Sequence, residues 1–287
     1  MIESDHHYGR TDEELATLPI ALAPDAFAGA VAIVSGAGSG IGRATAHWIA
    51  RLGGKLVLCG RKPEKLETIA HALARYGTQT LVQPLSIRDP DAVRALLDAA
   101  WAHFGRVDVL VNNAGGQFPQ AAIDFSVKGW NAVIDTNLNG TWYMMQAAAR
   151  KWRDACAPGS IVNVTAAITR GMPGVAHTCA ARAGVIYASK TVAVEWAPLG
   201  IRVNCVAPGV ISTEGLNVYP EHARRAFPGT IPMKRLGRVE EIANAICYLA
   251  GPAGSFITGE VLTVDGGNQL WGDQWTIAVP DYFKSPV

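Results

Sequence analysis

Residues 31–42 of this chain read VAIVSGAGSGIG. Five apolar or small residues come first, as expected of a short strand that is buried on both faces. Glycines at 36, 40 and 42 follow and lead into a helical pattern. Glycine lets a backbone come close to a ligand, and the first turn of a helix attracts negative charge. The segment therefore predicts a first strand, a phosphate-binding turn and a helix, which is typical of a nucleotide-binding α/β domain.

Short apolar runs alternate with longer helical patterns along the rest of the chain. The runs predicted as strands are 30–35, 55–59, 80–82, 107–112, 160–165, 202–206 and 261–264. The helical patterns cover 41–52, 63–76, 90–104, 128–152, 178–197 and 239–250. This alternation predicts an α/β fold with a single domain, in which a doubly wound (Rossmann) seven-stranded parallel sheet is flanked by helices.

We expect that domain to span residues 27–268. Residues 1–26 are polar, then rich in proline and alanine, and are predicted to form an N-terminal arm or a disordered lead. Residues 269–287 form an aromatic tail that carries Trp271, Trp275, Tyr282 and Phe283. Because a solvated tail seldom carries four aromatic residues, we expect it to pack on this or a neighbouring subunit; the alternative is a loose tail.

Composition excludes several classes of protein. A net charge of +1 gives no sign of a nucleic-acid or acidic-membrane partner. No apolar run reaches the ~18 residues of a membrane span, and residues 1–10 contain no signal-peptide core. The five cysteines have no metal-ligand spacing, so we expect no metal site and reduced thiols in a cytoplasmic protein.

Four ordered motifs identify a family resemblance. They are SGAGSGIG at 35–42, NNAG at 112–115, IRVN at 201–204 running into Pro208 and Gly209, and VDGG at 264–267. Together they resemble the short-chain dehydrogenase/reductase family over roughly residues 27–268. The resemblance implies a nicotinamide-dependent oxidoreductase that acts on a small-molecule substrate and assembles as a homotetramer or homodimer. The apolar helix predicted over 178–197 favours assembly, since a helix that is apolar nearly all round must be buried on every side.

The second predicted strand ends in Gly60-Arg61-Lys62, where an enzyme selecting the unphosphorylated cofactor usually carries an acid. An arginine there suits a phosphate, which predicts a preference for NADP(H). The alternative is that Arg61 is a solvated loop charge. Ser86 and Ile87 stand where the family often has an acid that contacts adenine. The resemblance assigns cofactor binding to Ser35, Gly36, Gly38, Ser39, Gly40, Ile41, Gly42, Arg61, Ser86, Ile87, Asn113, Ala114, Gly115, Arg182, Pro208, Gly209, Val210 and Ile211.

The family's catalytic Tyr-x-x-x-Lys is missing. The segment EWAPLGIRVN at 195–204 resembles the family sequence that follows its catalytic helix. Counting back from Glu195 places the lysine position at Arg182 and the tyrosine position at Thr178. The family serine falls at Thr165, or at Ala166 if the next loop is shorter, and the family asparagine is Asn137. The predicted catalytic residues are therefore Asn137, Thr165, Thr178 and Arg182.

Tyr187 and Lys190 are the obvious substitutes, but helix geometry argues against them. At about 100° per residue, Tyr187 lies roughly half a turn away from Thr178 and faces away from the cofactor. We therefore expect Tyr187 to be a core or interface residue. His177 is a second possible proton source; the alternative is a helix cap or a surface residue.

Two segments indicate the branch of the family. HTCAARAG at 177–184 and GGQFP at 115–119 resemble peroxisomal-type trans-2-enoyl-CoA reductases. Bacterial citronellol dehydrogenases share the arginine at 182 and the loop GMPG at 171–174. The 2,4-dienoyl-CoA reductase branch keeps a displaced tyrosine and a lysine, which this chain lacks at the matching positions, so that branch fits less well.

Loss of the tyrosine damages one chemistry more than another. Reduction of a ketone makes an alkoxide that needs an acid at its oxygen, whereas hydride addition to an enoyl thioester makes an enolate that hydrogen-bond donors can hold. We therefore expect an NADPH-dependent reductase of a trans-2-enoyl-CoA-type thioester. The alternatives are a dehydrogenase of terpenoid or other alcohols and carbonyls, and a catalytically weak NADP-binding protein. A basic rim around the cleft would favour an acyl-CoA substrate; the candidate residues are Arg170, Arg224 and Arg225. An apolar cleft would favour the alcohol dehydrogenase. A cleft filled by the aromatic tail would favour the catalytically weak NADP-binding protein.

Overall fold

The computed structural model describes residues 8–271 and 276–284. Its centre is a seven-stranded parallel sheet with strand order 3-2-1-4-5-6-7. The strands are β1 (Val31–Ser35), β2 (Lys55–Gly60), β3 (Thr80–Pro84), β4 (Val109–Asn112), β5 (Gly159–Val164), β6 (Ile201–Pro208) and β7 (Val261–Val264). This architecture confirms the predicted doubly wound α/β fold.

Helices cover both faces of the sheet. They are α1 (Asp12–Thr17), α2 (Gly40–Arg51), α3 (Pro63–Leu73), α4 (Pro90–Phe104), α5 (Val127–Ile134), α6 (Gly140–Asp154), α7 (Ala176–Trp196), α8 (Glu221–Thr230), α9 (Val239–Ala250) and α10 (Asp281–Lys284). Two apolar clusters lie between the layers, one against α2 and α9 and the other against α4 and α6. Within the described residues, no helix is long and apolar enough to cross a membrane.

Strand register brings the motifs to one edge of the sheet. Every residue of β1, β4 and β5 is buried, because helices cover both faces. Ser35 pairs with Cys59, and Asn112 pairs with Asn163. Since parallel strands share their carboxyl edge, the loops that follow β1, β2, β4 and β5 meet there, at the usual ligand-binding edge of such a sheet.

Residues 8–26 join the same core. Helix α1 begins with a capping box in which Thr11 and Glu14 bond each other's backbone N–H. Leu15 is fully buried against the cluster that contains α2. Asp12 Oδ1 lies 3.0 Å from His47 Nε2, which ties the arm to a buried histidine of α2.

The helix predicted over 128–152 is not continuous. It begins as α5, passes through one π-helical turn at Asp135–Asn139 and continues as α6. The extra residue in that turn directs Asn137 to the backbone of Gly116, a tertiary contact that no local pattern encodes. The sequence also gave no sign of α1, α8 or α10.

The aromatic tail packs in part on the domain. The rings of Trp271 and Phe283 meet edge to face at 4.9 Å, and Lys234 Nζ lies over both, 4.8 and 4.0 Å from their centroids. Tyr282 is exposed. Trp275 lies outside the described residues.

Candidate active site

The loop after β1 forms a tight cradle. A Cβ at residue 42 would lie 2.3 Å from the Gly36 carbonyl oxygen, and one at residue 36 would lie 2.9 Å from Ala114 Cα. Gly36 also has φ of +66°, a conformation that favours glycine. Only glycine fits at both positions, so the backbone can approach a ligand at the first turn of α2.

Ser35 and Asn113 fasten this loop to the end of β4. Ser35 Oγ accepts hydrogen bonds of 3.0 Å from the backbone N–H groups of both Asn113 and Ala114. Asn113 Nδ2 donates back to the carbonyl oxygens of Ser35 and Gly36 at 3.0 and 3.2 Å. These bonds set the width of the cleft between the two loops.

The cleft has a volume of about 390 Å³. Eleven of the predicted cofactor residues line it, together with others that the sequence did not single out. The predicted residues among them are Gly36, Gly38, Ser39, Gly40, Ile41, Arg61, Ser86, Ile87, Asn113, Ala114 and Gly115, with Asn113 supporting the loop as well. Ser35, Gly42 and Arg182 each lie against a residue of its lining, at Asn113, Gly36 and Gly115 respectively.

One end of the cleft is strongly basic. Arg61 is joined there by Lys62, Lys65 and Arg88. Lys65 lies on α3 and Arg88 follows β3, and the pairing of Gly60 with Pro84 brings these two segments together. Sequence reasoning missed Lys65 and Arg88, because their proximity depends on strand pairing across more than twenty residues. Glu214 is the acid in the lining, and it lies 3.7 Å from Arg43.

Pro208 ends β6, and Gly209, Val210 and Ile211 follow it at the same sheet edge. The Pro208 carbonyl accepts a bond from Ala167 N at 2.8 Å, which joins the loops after β5 and β6. Ile211 forms an isolated bridge with Gly237. The structure thus places these residues beside the loop that follows Thr165, away from the basic end of the cleft.

Asn137 is 1% exposed and holds the loop after β4. Its Oδ1 accepts from Gly116 N at 3.0 Å, and its Nδ2 donates to Gly116 O at 2.9 Å. The π-helical turn supplies the offset that makes both bonds possible. Asn137 therefore fixes Gly115 and Gly116 in front of α7.

Thr178 and Arg182 lie on the buried face of α7, one helical turn apart. Thr178 Oγ1 is buried and has no hydrogen-bond partner within the described residues. Arg182 is 8% exposed, and no hydrogen bond or ion pair joins its guanidinium to another described residue. Burial lowers the pKa of Arg182 to about 10, which still leaves it charged at neutral pH. A buried cation without a partner is costly, so this group is poised for a polar ligand.

Thr165 stands apart from this pair. Its Oγ1 donates to the Val206 carbonyl at 3.1 Å, so its hydroxyl hydrogen is already used. Its backbone N–H bonds the same carbonyl at 2.8 Å. The neighbouring Ala166 offers no hydrogen-bonding side chain. Thr165 therefore supports the junction of β5 and β6.

His177 is fully buried, so the surface alternative for this residue is wrong. Its ring lies between Phe118 and Phe125, with centroids 4.7 and 4.4 Å away. Nδ1 accepts from the backbone N–H of Thr178 at 2.8 Å, while Nε2 is buried and has no partner in the part of the chain that the structure describes. Burial lowers the pKa of His177 and keeps the ring neutral.

Tyr187 and Lys190 lie on the outer face of α7. Tyr187 is 70% exposed, and Lys190 Nζ lies 5.5 Å from the centroid of its ring. Val194 is also exposed on this face, while Trp196 contacts Trp142 with centroids 6.4 Å apart. The two residues are therefore remote from Thr178 and Arg182.

The three arginines considered for a basic rim each have protein partners. Arg170 Nη2 donates to Asn268 O at 3.0 Å, Arg224 Nη1 donates to Asn217 Oδ1 at 3.2 Å, and Arg225 pairs with Glu221 on α8. Among the described residues, no cluster of His, Cys, Asp or Glu could hold a metal ion.

The chain is similar in sequence and in fold to several known proteins. A family model described as enoyl-(acyl carrier protein) reductase matches residues 36–269. The chain is 38% identical to a probable 2,4-dienoyl-CoA reductase [(2E)-enoyl-CoA-producing] of Bacillus subtilis, over 83% of this chain and 96% of that protein. It is 41% identical to a cis-4-hydroxycyclohexanecarboxylate dehydrogenase of Sinomonas cyclohexanicum, over 85% and 98%. A solved citronellol catabolism dehydrogenase of Pseudomonas aeruginosa is 39% identical and superposes with a TM-score of 0.79, over 88% of this chain and 100% of that one.

Proposed function

The chain belongs to the short-chain dehydrogenase/reductase family and is an oxidoreductase with a nicotinamide cofactor, and from that premise we propose that it reduces an enoyl thioester with NADPH. The observation that carries the proposal is the pair on α7. Thr178 offers a hydroxyl and Arg182 a buried cation where the family's general acid and its lysine would lie. The relative named as a 2,4-dienoyl-CoA reductase adds support for the substrate class.

The residues present fit the cofactor. The glycine cradle leaves room for a pyrophosphate at the start of α2, and Arg182 is a buried donor without a partner among the described residues. When bound, NADPH supplies a hydride. Arg61, Lys62, Lys65 and Arg88 would hold the 2′-phosphate at the basic end of the cleft. Arg182 would bind the nicotinamide ribose hydroxyls, and Asn113 to Gly115 would pass beside the adenine ribose.

The chain's own groups suit an enolate better than an alkoxide. Two hydrogen-bond donors, Thr178 Oγ1 and the Arg182 guanidinium, lie on the buried face of α7. Asn137 holds the loop after β4 next to them. Preorganised donors of this kind stabilise negative charge that spreads over an oxygen. A threonine is a far weaker acid than a tyrosine, so these groups alone serve a ketone poorly.

A second candidate is a dehydrogenase of terpenoid or other alcohols. The names of two relatives favour it. One is a citronellol catabolism dehydrogenase, and the other is a cis-4-hydroxycyclohexanecarboxylate dehydrogenase. The arginines considered for a basic rim also favour it. Arg170, Arg224 and Arg225 already bond to protein groups, which leaves them less available to bind the phosphates of coenzyme A.

One assay separates the two. NADPH oxidation is followed with trans-2-enoyl-CoAs, ketones and terpenoid aldehydes as substrates, and NADP⁺ reduction with the matching alcohols. We expect the highest kcat/KM with an enoyl-CoA. Turnover of an aldehyde or alcohol with none of any enoyl thioester would refute the proposed reaction and establish the second candidate.

We also propose that copies of the chain pair through the outer face of α7. Tyr187 and Val194 are exposed there in the single chain, beside Trp142 and Trp196. A homotetramer, or at least a homodimer, would cover this apolar surface. Light scattering tests this, since a monomer at micromolar concentration contradicts it. Five unpaired cysteines favour a cytoplasmic location.

A further inference from the structure

Tyr219 lies in the segment that follows β6 at the carboxyl edge of the sheet. We call residues 213–230 the lid segment; its first residues, Thr213, Glu214 and Gly215, line the nucleotide cleft. The phenol of Tyr219 reaches the loop after β4, where Gln117 Nε2 donates a hydrogen bond to its Oη. Its ring packs edge to face on Phe227, with centroids 5.4 Å apart. The phenol is therefore held from two sides.

The neighbours of Gln117 locate that phenol relative to the catalytic positions. Gly116 exchanges two hydrogen bonds with Asn137, at 3.0 and 2.9 Å. Phe118 packs on His177, the residue next to Thr178, with centroids 4.7 Å apart. Gln117 therefore lies between Gly116, which contacts Asn137, and Phe118, which contacts His177 at the start of α7. Its hydrogen bond holds the phenol of Tyr219 next to this loop.

The phenol hydrogen is free to be donated. Gln117 is the donor in its bond, so Tyr219 Oη accepts, and no acceptor among the described residues takes the phenol's own hydrogen. Burial raises the pKa of Tyr219, the hydrogen bond from Gln117 lowers it, and the nearby Cys179 thiol raises it again, so that the net shift is upward. The group therefore keeps its proton at neutral pH and can act as an acid.

We propose that Tyr219 of the lid segment is the proton donor of this enzyme, in place of the tyrosine that α7 lacks. The inference rests on the proposed function for its substrate. Hydride addition at the β-carbon moves the π electrons to the thioester oxygen. The Tyr219 O–H bond then breaks, and its proton forms the O–H bond of an enol. The enol takes a proton from water at its α-carbon and returns its O–H proton to the phenolate, which restores Tyr219.

The first test compares two Tyr→Phe variants. Tyr219→Phe keeps the ring packed on Phe227 and loses only the hydroxyl, so kcat should fall about 100-fold, with the dissociation constant of NADPH unchanged. The matched control is Tyr187→Phe, on the exposed face of α7, where kcat should change less than about threefold. Equal, small effects in the two variants would overturn the proposal.

Gln117→Glu separates proton donation from simple closure of the lid segment. A carboxylate at 117 can still bond Tyr219, but it accepts the phenol hydrogen and withdraws it from substrate. We therefore expect kcat to fall about 100-fold although the contact remains. If Tyr219 only fastens the lid segment, Gln117→Glu should keep kcat near that of the wild type.

A titration tests the placement without turnover. Phenolate absorbance of the wild type minus that of Tyr219→Phe reports the ionisation of this one group. NADP⁺ carries a positive ring and NADPH does not, so the pKa of Tyr219 should be about one lower with NADP⁺. The same pKa in both complexes would place the phenol away from the nicotinamide and overturn the inference.

The outcomes keep the two proposals apart. If the wild type reduces aldehydes but no enoyl thioester, the proposed function fails, and the Tyr219 variants are measured on the aldehyde, whose alkoxide needs the same proton. If enoyl reduction is present and Tyr219→Phe retains it, the proposed function stands and the role of Tyr219 fails.

Discussion

Arg182 and Gly115 approach so closely that a Cβ at residue 115 would lie 2.3 Å from the arginine Nη2. Gly115 ends the motif that follows β4, and Arg182 lies on α7, so this contact joins the two halves of the site. Asn137 Oδ1 would lie 3.0 Å from the same Cβ. The guanidinium therefore occupies a slot that exists only because residue 115 has no side chain.

Gly115→Ala should displace Arg182 without unfolding the protein. The added methyl group meets the guanidinium, which must move away from the position that we assign to ribose binding. We expect NADPH affinity to fall at least tenfold, about 1.4 kcal/mol, in a calorimetric titration. Gly229→Ala is the control, since a Cβ there meets nothing within 4 Å. Wild-type affinity in Gly115→Ala would mean that Arg182 does not touch the cofactor.

Substitution of Arg182 should separate binding from stability. Arg182→Ala should weaken NADPH binding and remove activity, because both forked donors are lost. Arg182→Lys should keep part of the binding with altered geometry. Arg182→Met fills a similar volume without the charge, so it should unfold at the same or a higher temperature, because no described residue pairs with the buried cation. A lower Tm in Arg182→Met would instead indicate a structural ion.

The strands were predicted from local patterns, and the α7 pair from its spacing to the segment EWAPLGIRVN at 195–204, which resembles the family sequence. Apolar runs mark buried strands, and Thr178 and Arg182 are four residues apart on one helix face. The basic end of the cleft was only partly predictable, since Lys65 and Arg88 meet Arg61 through the pairing of β2 with β3. The π-helical turn at Asp135–Asn139 depends on the Asn137–Gly116 bonds, which form across the fold. Tyr219 carried no motif, and only its contact with Gln117 identifies it.

The basic end of the cleft predicts the choice of cofactor. Four cations line the end of the cleft where we propose that the ribose 2′-phosphate binds, so NADPH should bind at least tenfold tighter than NADH, about 1.4 kcal/mol. Arg61→Ala should narrow that ratio by weakening NADPH, while the dissociation constant of NADH serves as the internal control and stays unchanged. Equal dissociation constants of the wild type for NADPH and NADH would show that Arg61 does not select the phosphorylated cofactor.

His177 should make the protein less stable as the pH falls below neutral. An unfolded histidine titrates near a pKa of about 6.5, and burial lowers the pKa of His177 in the fold. Below that pH the unfolded chain takes up a proton that the folded ring resists, so the stability contributed by the neutral ring is full above pH ~6.5 and is lost as the pH falls through the folded pKa.

His177→Asn retains an acceptor for Thr178 N and removes the titrating ring. The decrease in Tm between pH ~7.5 and ~5.5 should therefore be smaller in this variant than in the wild type, by at least about 2 °C. His103→Asn, at an exposed histidine of α4, is the matched control and should show the wild-type decrease. If His177→Asn loses as much Tm as the wild type, His177 is protonated in the fold, and its buried Nε2 becomes a candidate acid beside Thr178.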